Sequence, residues 1–159
     1  MPVYNLNDII DVNVLQEIQD GFAESTGFAA VTVDYTGKPV TKYSKFSDFC
    51  MLVRQQGKCL QDCHKSDAHG GLEAARRGTP YIYRCHSGLV DFAIPIIAIG
   101  QYLGSIMAGQ TKVKEKDIDE LDDIMKLTKG LLDIPNINEA YKKIPEVPYE
   151  IAIQFKRLI

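Results

Sequence analysis

Cys59 and Cys63 stand four residues apart, Cys85 is followed directly by His86, and Cys50 completes the set of four cysteines in a chain with three histidines. Four thiolates drawn together would hold zinc or an iron–sulfur cluster. The spacing fits that chemistry poorly, because structural zinc sites show two close cysteine pairs and only Cys59 and Cys63 form one. The competing readings are buried thiols acting as small hydrophobes, which the spacing favours, and a reactive or redox-responsive cysteine. A nucleophilic thiol needs a base beside it, and sequence neighbours do not supply one. Cys85 and His86 are adjacent on an expected strand and so point to opposite faces, while Cys63 and His64 are adjacent on an expected helix. GxGxxG and GxxxxGK[ST] loops are absent, and Asp67 and Asp91 form no evident pair. The expectation is a protein that is not an enzyme.

These residues must be positioned by a short series of elements. Val14, Leu15, Ile18 and Phe22 recur at helical spacing between a capping Asn13 or Asp11 and Gly27, predicting a helix over 13–25. FAAVTVD at 28–34, the polar YTGKP and then Val40 and Thr41 read as a hairpin turning at Gly37. Phe46, Phe49, Cys50 and Val53 give a short helix with Cys50 facing inward. From 59 to 77 the run ending in LEAARR and closed by Gly78 predicts a long helix with Cys59, Cys63 and Asp67 on one face. Gly70 and Gly71 within it imply a bend or a close neighbour.

Three strands follow, at 81–85, 89–99 and 101–110, with Pro95 at an edge or bulge. Tyr81, Tyr83 and Cys85 share one strand face, and Arg84 and His86 the other. Asp91 lies opposite Val90 and Phe92, either toward solvent or as a buried acceptor for Arg84 or a ligand hydroxyl. Gly88 is a candidate bulge that would re-aim neighbouring side chains. DIDELDDIMKLTKGLL at 117–132 predicts a later helix, and YEIAIQFKRLI from Tyr149 the start of another, as though a longer protein continued here. A hairpin, helices and then consecutive strands make an α+β fold: an antiparallel sheet with helices on one face, cupping a small ligand.

At 159 residues and 45% apolar content the chain suits a single core. A formal charge of −3 and pI near 5.6 leave no basic footprint for direct nucleic-acid binding. The longest apolar run, AIPIIAI, is far too short to span a bilayer, and the first residues lack a signal peptide's pattern. The expectation is a cytoplasmic protein with no membrane partner.

FCMLVRQQGK, CHKSDAHGGLEAARRGTPYIYRCHSGLVDFAIPI and GQYLGSIMAGQ together resemble the PocR-type sensory domain, a PAS-like ligand-sensing module, over about Leu6 to Leu132. The family pattern matches Cys50, Cys63, Ser66, Asp67, Tyr83, Arg84, Cys85, His86, Gly88, Asp91, Pro95 and Gly104, with Cys59 less clearly part of it. The resemblance implies a sensory domain at 6–132, followed by an extension at 133–159 that begins a signalling linker. It implies a small hydrocarbon derivative, a diol or short alcohol, bound among Cys50, Cys63, Asp67, Tyr83, Arg84, Cys85, His86 and Asp91. It implies an output domain in a longer parent, either a histidine kinase, an AraC-type regulator or a diguanylate cyclase, and a homodimer. The alternative is a metal or redox sensor whose zinc or iron is held by Cys50, Cys59, Cys63 and Cys85.

Overall fold

The computed structural model describes residues 2–113 and 121–148, with 150 and 154. A four-residue turn of helix, α1 (Leu6–Ile9), precedes α2 (Val12–Thr26). Asp11 caps α2 by accepting from the Asn13 amide, and Gly27 ends it at φ 76°, a left-handed conformation that costs glycine least. Strand β1 (Ala29–Asp34) turns at Gly37. The return leg of the expected hairpin stays irregular and touches β1 at two bridges, Val33 with Pro39 and Ala30 with Ser44.

Gln19, wholly buried on α2, holds that leg. Its amide donates to the carbonyls of Ala30 and Lys42 and to Ser44 Oγ, and its Oε1 accepts from the hydroxyls of Thr32 and Thr41. One side chain thereby satisfies backbone groups that a full second strand would otherwise pair.

Helix α3 (Asp48–Arg54), capped by Ser47, leads into α4 (Gly57–Arg77), which ends at Gly78. The α4 face toward the sheet carries Cys59, Cys63, Ser66, Asp67, Gly70, Gly71 and Ala74. A Cβ at Gly70 would overlap the Tyr83 ring, and one at Gly71 would overlap the hydroxyls of Tyr102 and Ser105. The paired glycines are therefore the point where helix backbone meets sheet side chains, the close-neighbour reading of the two.

Strands β2 (Tyr81–Arg84), β3 (Val90–Ala98) and β4 (Gln101–Val113) form an antiparallel meander. Its free side on β4 takes β1, giving the order β1-β4-β3-β2, with the two-residue β5 (Glu146–Val147) running parallel to the end of β4. Pro95 bonds with β4 beyond the end of β2, so its missing N–H costs no ladder bond on the open side. This is the expected α+β, PAS-like sheet.

Its main core lies on one face, where Val31, Val33, Tyr83, Ala93 and Met107 pack against Phe49 and Val53 of α3, Cys63 and Ala74 of α4, and Ile137 and Ala140 of α5 (Ile137–Lys142). Helices α3, α4 and α5 therefore gather on one face, while on the opposite face Phe22 of α2 packs on Ala30, Phe92 and Ala108, and Leu6 and Leu15 pack on Leu103. Ile134, Ile137, Ala140 and Ile144, from the stretch set apart as an extension, belong to the main core.

The helix expected over 117–132 is not formed where residues 121–132 are described; 117–120 lie outside the described residues. Instead Arg84 donates its amide to the Asp122 carbonyl and accepts from the Ile124 amide, so this stretch caps the edge of β2, and a 3-10 turn follows at Leu131–Asp133. An unpaired strand edge outcompetes a local helix here. The helix expected from Tyr149 falls outside the described residues apart from Glu150 and Gln154.

Candidate functional site

The helical face of α4, the end of α3 and the sheet enclose a cavity of about 20 Å³ lined by Cys50, Val53, Arg54, Cys63, Ser66, Asp67, Cys85, His86, Ser87, Asp91 and Gln110. A second void of about 20 Å³ shares Arg54, Asp67, Asp91 and Gln110 and extends toward Val31, Phe46 and Met107. Either holds about one water.

Strand geometry decides which predicted residues reach the cavity. Tyr83 and Asp91 are register partners and share the face toward α4, so Asp91 is a buried acceptor rather than a solvent-facing acid. The expected bulge lies elsewhere than Gly88, which at φ 83° closes the β2–β3 turn instead. Asp91 pairs with Gly109 and Val90 with Thr111, leaving Gln110 of β4 unpaired at φ 56°. The bulge aims the Gln110 amide at Asp91 Oδ1 (2.8 Å) and lets Gln110 Oε1 accept from the Ser47 amide at the start of α3 (2.8 Å). Burial, relieved only in part by that amide, pushes the Asp91 carboxyl up to about 7.

Arg84 turns away from the cavity and forms an ion pair with Asp123, donating from Nη2 to Oδ2 at 2.9 Å with Nε 2.7 Å from Oδ1. His86 does the reverse of what strand alternation predicts. The strand ends at Arg84 and the turn swings the imidazole inward, where it is buried with Nε2 3.1 Å from Cys63 Sγ. Its Nδ1 lies 2.6 Å from Thr128 Oγ1, and Thr128 donates to Asp62 Oδ2 at 2.7 Å. Burial pushes the His86 imidazole down to about 4, so it is neutral at pH 7. Burial likewise raises the Cys50, Cys63 and Cys85 thiols, Cys85 to about 12, and Cys85 Sγ lies 3.0 Å from Ser87 Oγ. Cys59 packs in the core beside the cavity without lining it. Among the described residues, no group of three or more His, Cys, Asp or Glu side chains is arranged to hold a metal ion.

Sequence reasoning missed Arg54. Its guanidinium donates to Asp67 Oδ2 at 2.9 Å with both side chains over nine-tenths buried. It also lies 5.2 and 5.1 Å from the rings of Tyr43 and Phe46, which stack on each other 4.1 Å apart. Helical spacing places Arg54 at the end of a buried stripe, but its partner on another helix leaves no local signal. Arg54 and Asp67 thus neutralise each other on the cavity wall. Among the described residues the buried Ser66 Oγ, on the cavity wall, and the Tyr83 hydroxyl, against Gly70, have no hydrogen-bond partner in the protein.

The profile of the family described as a sensory domain found in PocR matches residues 8–159. The regulatory protein PocR of Salmonella typhimurium is 33% identical over 144 residues, which are 91% of this chain and 47% of that protein. The chain thus spans about half the length of the curated relative it matches. No solved structure matches. Among the described residues no helix is long and apolar enough to cross a membrane.

Proposed function

This chain belongs to the family of sensory domains found in PocR, and on that premise we propose that it binds a small uncharged hydrocarbon derivative, a diol or short alcohol, in the cavity between α4 and the sheet. The observation that carries the reading is the Ser66 hydroxyl, buried on the cavity wall without a protein partner while Arg54 and Asp67 already neutralise each other. A charged ligand would leave an unbalanced ion in a buried site, whereas a hydroxyl group satisfies Ser66 at no electrostatic cost. Ligand carbons would lie against Cys50, Cys63 and Cys85, and Asp91 and His86 supply further polar partners.

A three-carbon diol needs several times the space of one water. Binding therefore joins the two voids by displacing the groups they share, Arg54, Asp67, Asp91 and Gln110. A cavity that must change shape to fill is the differential affinity between two states that sensing requires. The signal would pass to an output domain of a longer cytoplasmic regulator, a histidine kinase, AraC-type regulator or diguanylate cyclase, with the domain acting as a homodimer.

Thermal unfolding with 1,2-propanediol, glycerol and ethanol tests this. Ligand at a hundred times its Kd adds about 2.7 kcal/mol, which is roughly 5–10 °C for a domain of this size, and Ser66→Ala removes most of the shift. Absence of any shift, or near-stoichiometric zinc or iron by elemental analysis of protein purified without chelator, would overturn the reading, the second outcome in favour of a cysteine-bound metal.

A further inference from the structure

Cys63, His86, Thr128 and Asp62 form a hydrogen-bonded chain whose direction is fixed by proton counting. Thr128 has one hydroxyl hydrogen, and it goes to Asp62 Oδ2. Thr128 Oγ1 can then only accept from His86, so Nδ1 carries the imidazole proton. Nε2 is left with its lone pair toward Cys63, whose thiol donates to it across 3.1 Å. A thiol, a base beside it and a third group orienting the base have the arrangement of a nucleophilic site. Because burial raises Cys63 and lowers His86, the thiol stays protonated at rest and gives up its proton only as a bond to sulfur forms. The residues come from α4, the β2–β3 turn and the segment capping β2, so no local sequence pattern reveals them.

A second observation places a reaction partner beside the thiol. Ser66, one helical turn after Cys63 on the same buried face of α4, lines the same cavity with a hydroxyl that lacks a protein partner. We propose that Cys63 reversibly captures a small aliphatic aldehyde as a hemithioacetal, with His86 moving the proton and Ser66 binding the oxygen. The proposal rests on the reading of this cavity as a ligand site and adds a covalent ligand class to it.

In the capture step the sulfur lone pair forms an S–C bond to the carbonyl carbon. The carbonyl π bond opens onto oxygen, and the thiol proton passes to His86 Nε2 and from there to that oxygen, leaving Cys63–S–CH(OH)–R. The proton returns when the adduct dissociates, and no oxidant, reductant or leaving group takes part. The void of about 20 Å³ holds about one water, so even a two-carbon aldehyde requires the two voids to join, and the smallest aldehydes require the least displacement. A conjugated enal is longer, and a peroxide would require a reductant to restore the thiol. Burial of Cys63 at 7% exposure keeps larger electrophiles away.

The experiment is carbon-13 NMR of the purified chain with carbon-13 acetaldehyde. One hemithioacetal resonance per chain is expected in the parent protein and in Cys59→Ser, and none in Cys63→Ser. Lysine imines are told apart because borohydride traps them as a permanent mass gain. Should Cys63→Ser fail to fold, Thr128→Val and His86→Gln keep the thiol. His86→Gln slows the exchange of free and bound acetaldehyde by about a hundredfold, and Thr128→Val slows it by about tenfold. No resonance in the folded parent, its persistence in Cys63→Ser, or unchanged exchange in both other variants would overturn the proposal. If diols shift the melting temperature and no adduct forms, only this inference falls; if neither ligand class binds, the cavity reading falls with it.

Discussion

Asp91→Asn should stabilise the domain at pH 8 and leave it nearly unchanged at pH 4. The folded chain holds the Asp91 carboxyl at about 7 because burial disfavours its charge, against 3.8 when exposed. An acid raised in this way contributes stability that is fully present below pH 4 and lost as pH climbs through 7. The full gap is worth about 4 kcal/mol. Asp91 retains some accessible surface where it borders the cavities, which reduces the expected effect to about 2–4 kcal/mol.

His86 works in the opposite direction. Its imidazole is pushed down to about 4 from 6.5, so its contribution is lost as pH falls through 6.5 toward 4, about 2–3 kcal/mol on the same reasoning. The two slopes oppose each other, and the parent protein should show a shallow dependence of stability on pH. Asn at 91 keeps the carbonyl that accepts from the Gln110 amide and removes the ionisation, which unmasks the His86 slope. Urea unfolding from pH 4 to pH 8 measures both. Subtracting parent from variant cancels the groups that do not interact with Asp91, while Asp67, which burial also raises and which faces Asp91, adds its coupling to the difference. A difference below about 0.5 kcal/mol at pH 8 would mean that Asp91 ionises freely, and would refute the buried carboxyl.

Other perturbations follow from packing and charge. Arg54→Met strands Asp67 in the interior and should cost about 3–5 kcal/mol in urea, while adding Asp67→Leu recovers most of it; a loss under 1 kcal/mol in the single variant would show that the pair is hydrated. Gly70→Ala drives a methyl into the Tyr83 ring and should cost about 1–3 kcal/mol. Gly21→Ala, with open space around the added methyl, should gain about 0.5–1 kcal/mol, and equal melting temperatures for the two would contradict the α4–sheet contact. With burial raising Cys50, Cys63 and Cys85, iodoacetamide at neutral pH should label the native thiols slowly and all four cysteines quickly in denaturant; rapid labelling of one native cysteine would show an exposed thiolate.

Periodicity was a good guide wherever one face of an element meets the core. The 3.6-residue stripe of α2 and α4 and the alternation of β2 and β3 are written locally, while Gly70 with Gly71 left a bend and a close neighbour equally open until the Tyr83 ring was seen against them. The site was legible only in part. Cys50, Cys63, Asp67, Cys85, His86 and Asp91 all border the cavity, yet alternation put His86 on the wrong side because the strand ends at Arg84 and the turn begins before His86. Arg84 leaves the cavity by the alternation that turns Tyr83 inward, and Asp123, thirty-nine residues on, neutralises it there. Arg54, Thr128 and Asp62 were silent because each depends on a partner from a different element. Residues 121–132 carry helical spacing, but the edge of β2 offers them backbone bonds that a helix would forfeit.

The placement of β1 has a consequence for the order in which the molecule assembles. β2, β3 and β4 are joined by short turns, whereas β1 must find β4 across a loop of more than sixty residues, with Ala29 meeting Gly109 and Asp34 meeting Gly104. Loop closure on that scale is paid before the contacts return anything, so the meander should form early and β1 should dock late. Val33→Ala is then expected to speed unfolding and leave the refolding rate almost unchanged, and a refolding rate that falls with stability would reverse that order. On the ribosome β1 emerges long before its partner exists, an apolar strand without a sheet. The Gln19 side chain, contributed by the helix made just before it, can already bind the β1 backbone and its return leg, acting as a holder until residue 113 has been synthesised.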